Sequence, residues 1–173
     1  MNPEPSIIVP LSNPSLMSGL IGLIILLVAS ALISGAEVAL FSLTQKDLDE
    51  SKKNKKKSSE IIIALLRKPK KLLATILVVN NFINIGIVIL FASLVDRLFE
   101  GVDSKLTFGV FNIDLLFFVE VVLITFLILL IGEVLPKVYA NRNNLKFSKF
   151  MAYPLKVLDI IISPISMPMQ RIT

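Results

Sequence analysis

Three apolar stretches dominate this chain, and each is interrupted by polar residues: Ser34-Gly35-Ala36-Glu37, Asn80-Asn81-Phe82-Ile83-Asn84 and Gly132-Glu133-Val134-Leu135-Pro136-Lys137. The candidate spans are Leu16–Leu43, Leu72–Val95 and Leu115–Pro136. At a rise of about 1.5 Å per residue, each covers the roughly 30 Å hydrocarbon core of a bilayer. With 54% apolar residues in 173 and a mean hydropathy of +0.80, the chain holds more hydrocarbon than a soluble domain of its size needs. The fold class that follows is an all-α membrane protein: three transmembrane helices plus juxtamembrane, interfacial helices on the cytoplasmic side.

Cysteine and histidine are both absent. That removes disulfides, thiolate metal sites, zinc hydrolases, haem ligation and Ser-His-Asp or Cys-His nucleophiles. An intramembrane protease would need a Ser-His pair, paired aspartates or a zinc motif in its spans, so an enzyme is not expected. The remaining chemistry belongs to hydroxyl, amide, carboxylate and backbone oxygens, aided by lysine or arginine.

The net charge of +5 is unevenly spread. Ten of the 18 Lys and Arg residues lie between Lys46 and Lys71, six lie between Lys137 and Arg171, and only Arg97 and Lys105 fall between spans two and three. This positive-inside pattern predicts a multi-pass protein of the cell (inner) membrane. The amino terminus (residues 1–15) and the loop from Asp96 to Asp114 would lie outside, with the basic loop and the carboxyl terminus cytoplasmic. No Lys or Arg precedes the first span, which is also too long for a signal-peptide core, so that span is expected to be retained. Ile7, Ile8 and Val9 are placed at the outer interface. Lys52, Lys53, Lys55, Lys56 and Lys57 read as a solvated turn facing anionic headgroups. No aromatic residues interleave with them, so nucleic acid is not an expected partner. Residues 58–71 read as an interfacial amphipathic helix leading into span two. Residues 141–173 read as one or two juxtamembrane helices, interrupted by Pro154, Pro164 and Pro168. The sequence stops at Thr173 with no polar tail, and a cytoplasmic domain is expected to follow.

Depth brings the polar clusters together. Ser34 and Glu37 lie roughly 13 Å and 9 Å from the inner end of span one, and Asn80 and Asn84 roughly 12 Å and 18 Å above the inner start of span two. Glu133 lies about 5 Å from the inner end of span three. Ser30, Ser34 and Glu37 follow i, i+4, i+7 spacing and share a face; Asn80 and Asn84 are four apart, with Asn81 close to the same side. Pro136 has no amide proton, which frees the Gly132 carbonyl, and Gly35 is a point at which helix one can loosen. Singly, each residue has a plainer reading. Ser34 reads as close helix packing, Asn81 as interhelical glue, and Glu133 as an ion-pair partner of a basic residue. A glutamate costs on the order of 2–3 kcal/mol near the centre of a span, less towards its ends, where Lys137 or water relieves Glu37 and Glu133. Together, oxygens from three helices suit a hard cation such as Mg²⁺, Ca²⁺ or Na⁺.

SGAEVALFSLT at 34–44, LLATILVVNNFINI at 72–85 and GEVLPKVYA at 132–140 resemble the transmembrane domain of the CorC/CNNM family of magnesium transporters. The resemblance runs from about residue 16 to 170 and includes the order and spacing of the elements. It implies a homodimer of three-helix membrane domains (here residues 16–140) with a belt of juxtamembrane helices and a following cytoplasmic pair of CBS domains. It also implies Mg²⁺ export, coupled to Na⁺. Carried onto this sequence, the motif positions are Ser34, Gly35 and Glu37, then Asn80 and Asn84, then Gly132, Glu133 and Pro136. Ala36 stands where many relatives have a second serine, and Val79 where many have glycine. The wording is also similar to the gliding-motility-associated branch of the family in Bacteroidetes. The site expected is Ser34, Asn80, Asn84, Gly132 and Glu133 around Mg²⁺, with Gly35, Glu37, Asn81 and Pro136 supporting or gating it. The alternative is a membrane scaffold or sensor for motility or envelope assembly, whose polar clusters hold helices together.

Overall fold

The structure is a computed structural model that describes residues 14–53, 57–98, 105–108 and 111–172. The segment before residue 14, with Ile7, Ile8 and Val9, lies outside the described residues, as do Lys55 and Lys56. Helix α1 (Pro14–Phe41) opens on a proline, which suits a first helical turn because its missing N–H has no partner to serve there. Two short helices follow, α2 (Gln45–Lys53) and α3 (Lys57–Leu66), and a turn at Arg67 and Lys68 leads into α4 (Pro69–Leu98). Strands β1 (Lys105–Phe108) and β2 (Phe111–Asp114) pair antiparallel, with Lys105 opposite Asp114 and Phe108 opposite Phe111. Helix α5 (Leu115–Leu127) widens into a π-helical segment (Ile128–Val134) and returns to α geometry as α6 (Leu135–Arg142). Helix α7 (Asn144–Ile172) is the last described element.

Among the described residues, three helices are long and apolar enough to cross a membrane: Pro14–Phe41, Pro69–Leu98 and Phe117–Arg142. They match the expected spans, each running a few residues further at one or both ends. Their outward faces carry exposed Ile21, Ile25, Phe82, Ile89, Phe117 and Phe126, an apolar surface that water would not tolerate and lipid would cover. The all-α membrane architecture therefore stands. The hairpin between α4 and α5 is an addition that hydropathy did not announce.

Helix α1 is the hub, packing against α4, α6, the π segment and α7. Small residues make this possible. A Cβ on Gly19 would lie 2.7 Å from Leu94, and one on Gly35 would lie 2.8 Å from the Phe147 ring, so α4 and α7 cross α1 at those two glycines. The core has two parts. Leu16, Leu23, Ile87, Leu94 and Ile124 fill the end near the hairpin, while Ile33, Leu40, Ile62, Leu72, Ile76, Met151 and Leu155 fill the basic end.

Helix α7 is a single helix rather than one broken by its prolines. Pro154 frees the carbonyl of Phe150 four residues back, but both residues lie on the exposed face, where solvent can satisfy that oxygen. Lys71 Nζ clamps α7 to the start of α4 through Asp159 at 2.7 Å, and the fully buried Thr75 hydroxyl is 3.5 Å from the other carboxylate oxygen.

Thr44 and Asp47 form a capping box at the start of α2. The Asp47 amide donates to Thr44 Oγ1 at 3.3 Å, and the Thr44 amide and hydroxyl donate to Asp47 Oδ2 at 2.8 and 2.7 Å. Those bonds, the hydroxyl's first, hold the Asp47 carboxyl below its ordinary value of 3.8. A depressed folded pKa stabilises above the unfolded value and stops doing so as pH falls through the folded one. Asp47→Ala should therefore lower the melting temperature at neutral pH, and the gap from wild type should close as the pH drops below about 3.8. A gap independent of pH would show that the ionised carboxylate is not what stabilises the cap.

Candidate cation site

Midway along the bundle, α1, α4 and the π segment each contribute a polar side chain to one cluster. Ser30 of α1 is fully buried, and its hydroxyl faces Asn84 Oδ1 at 2.8 Å and Asn80 Oδ1 at 3.3 Å. The hydroxyl has one proton for two amide oxygens, so the shorter bond to Asn84 leaves Asn80 Oδ1 underserved. Both amides direct their Nδ2 groups at Glu133 Oε1, each at 3.4 Å. Among the described residues no partner reaches Glu133 Oε2. The carboxylate is thus held by two long amide contacts and not by a basic residue.

The π segment explains how Glu133 reaches this position. Its wide register is seen where the Leu135 amide donates to the Leu130 carbonyl, five residues back. Pro136 follows directly and supplies no proton at all. The proton that Pro136 lacks is owed to the Gly132 carbonyl in an α register and to the Ile131 carbonyl in the wide one, and the change of register falls between the two. Gly132 itself is buried against α1, and a Cβ there would lie 3.0 Å from Ser30 Oγ. Glycine is what lets the third span come close enough for Glu133 to meet the two asparagines.

Ser34 sits one turn along α1 from Ser30, on the same face, with 1% of its surface exposed. Its hydroxyl has no hydrogen-bond partner. A buried orphan of this kind costs about 1–3 kcal/mol in an unliganded protein, so it calls for a physical explanation.

The other residues singled out from the sequence lie apart from the cluster. Glu37 pairs with Lys137 at 3.5 Å, both more than a third exposed, so the lysine relieves Glu37 and not Glu133. Gly35 faces Phe147, which stands edge-on to Tyr139 at 6.3 Å and Phe150 at 6.5 Å. Asn81 is exposed and points away from the three-helix core. The expected basic turn is narrower than the sequence suggested: Lys52 and Lys53 end α2 and Lys57 begins α3, with Lys53 and Lys57 exposed. Ser30 is the residue that sequence reasoning left out of the site. Its i, i+4 relation to Ser34 was the available signal, but that spacing alone does not separate a hydrogen-bonding hub from a packing serine.

Among the described residues no group of three or more acidic, His or Cys side chains gathers. A hard cation here would meet mostly neutral oxygens: Ser30 Oγ, Ser34 Oγ, the two amide carbonyls and a single carboxylate. Gly132→Ala tests the close approach that assembles them. Ser30 Oγ is held by Asn84 and cannot easily retreat, so the added methyl should destabilise the protein by about 1–2 kcal/mol, read as a lower melting temperature in detergent. An unchanged melting temperature would mean that the helices separate there without cost.

Comparison with curated proteins gives no match. Against protein families, residues 21–173 match the cyclin M (CNNM) transmembrane N-terminal domain. That region contains the first span from residue 21 on, the other two spans whole and every residue of the polar cluster. The chain therefore belongs to the CNNM family, as a membrane domain of a divalent-cation transport family.

Proposed function

We propose that this domain carries Mg²⁺ across the cell (inner) membrane through the site formed by Ser30, Ser34, Asn80, Asn84 and Glu133, as an exporter coupled to Na⁺. The observation that carries the reading is the orphaned Ser34 hydroxyl one helical turn from Ser30, whose single proton serves two amide oxygens. A cation supplies what each of these oxygens lacks. Asn80 and Asn84 would give up the Ser30 proton and turn their carbonyls to the ion, and Glu133 would offset half the charge of a dication. One carboxylate among neutral ligands gives a modest affinity, which suits an ion that must also leave. The wide turn ending at Pro136 supplies a segment that can change register, and with it the distance of Glu133 from the asparagines. The basic end would be cytoplasmic, by the positive-inside distribution.

Two copies would form the working unit. Asn81 is exposed on α4 among Phe82, Ile85 and other outward apolar side chains. An amide facing lipid at that depth is costly, and a second copy would cover it.

The scaffold reading has one observation in its favour: Ser30, Asn80, Asn84 and Glu133 hydrogen-bond to one another across three helices. Ser34 separates the two. If its hydroxyl is reserved for an ion, Ser34→Ala should leave the cation-free protein as stable as wild type or more so, and weaken Mg²⁺ about tenfold. The measurement is the melting temperature in detergent across Mg²⁺, Ca²⁺ and Na⁺ titrations, and Asn84→Ala should abolish the Mg²⁺ response. A wild type whose melting temperature ignores every cation, with both variants less stable throughout, would favour the scaffold.

A further inference from the structure

A second site, remote from the cation cluster, lies where α3, the start of α4 and α7 meet. There a cleft of about 630 Å³ is lined by Lys57, Arg67, Lys68, Lys71 and Lys156, with only Glu60 and Asp159 as acids. Asp159 is already neutralised by Lys71 at 2.7 Å. Lys57, Arg67, Lys68 and Lys156 are exposed, and among the described residues none of the four has an ion-pair partner. Four uncompensated cations therefore face one free carboxylate across a concave surface.

The floor of the cleft is apolar. Ile61 and Leu65 of α3, both nearly buried, line it on one side, and Tyr153 and Ile160 of α7, each more than half exposed, line it on the other. Arg67 and Lys68 sit in the turn just before α4 becomes a continuous apolar span, so the cations stand at the level where headgroups meet hydrocarbon. Tyr153, apolar in body and polar at its tip, suits the same level.

We propose that this cleft binds the headgroup of an anionic phospholipid, with Arg67, Lys68 and Lys156 on the phosphate and an acyl chain along Ile61, Leu65 and Ile160. The composition of the cleft selects this occupant. A free phosphate would satisfy the cations but leave the apolar floor wet. A zwitterionic lipid would cover the floor but bring its own ammonium group against the lysines. The guanidinium of Arg67 matches phosphate oxygens two at a time. The bound lipid would bridge α3, α4 and α7 beside the Lys71–Asp159 clamp. The assignment is independent of which ion the bundle carries.

The test is the melting temperature of the protein in detergent, titrated with short-chain phosphatidylglycerol, short-chain phosphatidylcholine or inorganic phosphate. Phosphatidylglycerol should give a saturable rise, and the other two should not. Arg67→Gln with Lys156→Gln should raise the half-saturating concentration about tenfold. Lys70→Gln with Lys146→Gln removes the same charge outside the cleft and should leave it within about twofold. All four residues are exposed, so neither pair disturbs the core. A rise with phosphatidylcholine equal to that with phosphatidylglycerol would overturn the headgroup assignment. An equal rise with inorganic phosphate would make the site an anion site and not a lipid site. Equal weakening in both double variants would reduce it to general surface charge.

Discussion

The hydrogen bond from Ser30 to Asn84, 2.8 Å long and fully buried on the serine side, is the tie on which the arrangement of the three spans depends. Apolar contact alone gives helices in lipid little reason to choose one partner over another, because lipid tails are as apolar as leucine. A buried hydroxyl facing an amide does choose. It fixes the register of α1 against α4, and Gly132 then lets the third span close over the same hydroxyl. One small side chain thus sets the relative positions of all three helices, and of the oxygens they carry.

The two carboxylates near the basic end are treated differently, and the difference follows from where each is held. Glu37 sits in reach of Lys137 and stays partly exposed, so its charge is balanced locally and partly screened by water. Glu133 lies in the π segment and, among the described residues, meets only amide donors. A carboxylate with such partners keeps its appetite for positive charge. A backbone irregularity of this kind needs its freed carbonyls satisfied by protein, water or an ion when it lies within a membrane. Helix α7 wraps the same end: Phe147 meets Gly35 next to Ser34, and Asp159 grips Lys71. The Phe147–Gly35 contact thus joins α7 to α1 one residue from Ser34.

The spans, their polar interruptions and most of the cluster were legible in the sequence, because hydropathy and helical phase are direct consequences of the bilayer and of a 3.6-residue repeat. Asn80, Asn84, Gly132 and Glu133 all converge as the spacing predicted, with Ser34 one turn away. Other features were not legible, each for a physical reason. Ser30 looked like any packing serine until its partner on α4 was placed. The π segment leaves no mark in Ile-Leu-Leu-Ile-Gly-Glu-Val, since register depends on what the widened turn packs against. Three prolines suggested breaks in α7, yet Pro154 is accommodated where its freed carbonyl lies on the exposed face. The sequence left Lys137 open to both Glu37 and Glu133, and only the packed helices show it paired with Glu37.

The central claim is that the unsatisfied oxygens near Ser30 and Ser34 are reserved for a hard cation. The most direct measurement is a crystal structure of the protein grown with Mn²⁺ in place of Mg²⁺, read by anomalous scattering. A single strong peak within about 2.0–2.4 Å of oxygens from Ser34, Asn80, Asn84 and Glu133 is predicted, the distance expected for hard-cation ligation. Anomalous peaks confined to surface carboxylates, with the Ser30–Asn84 bond intact and the Ser34 hydroxyl still unpartnered, would contradict it.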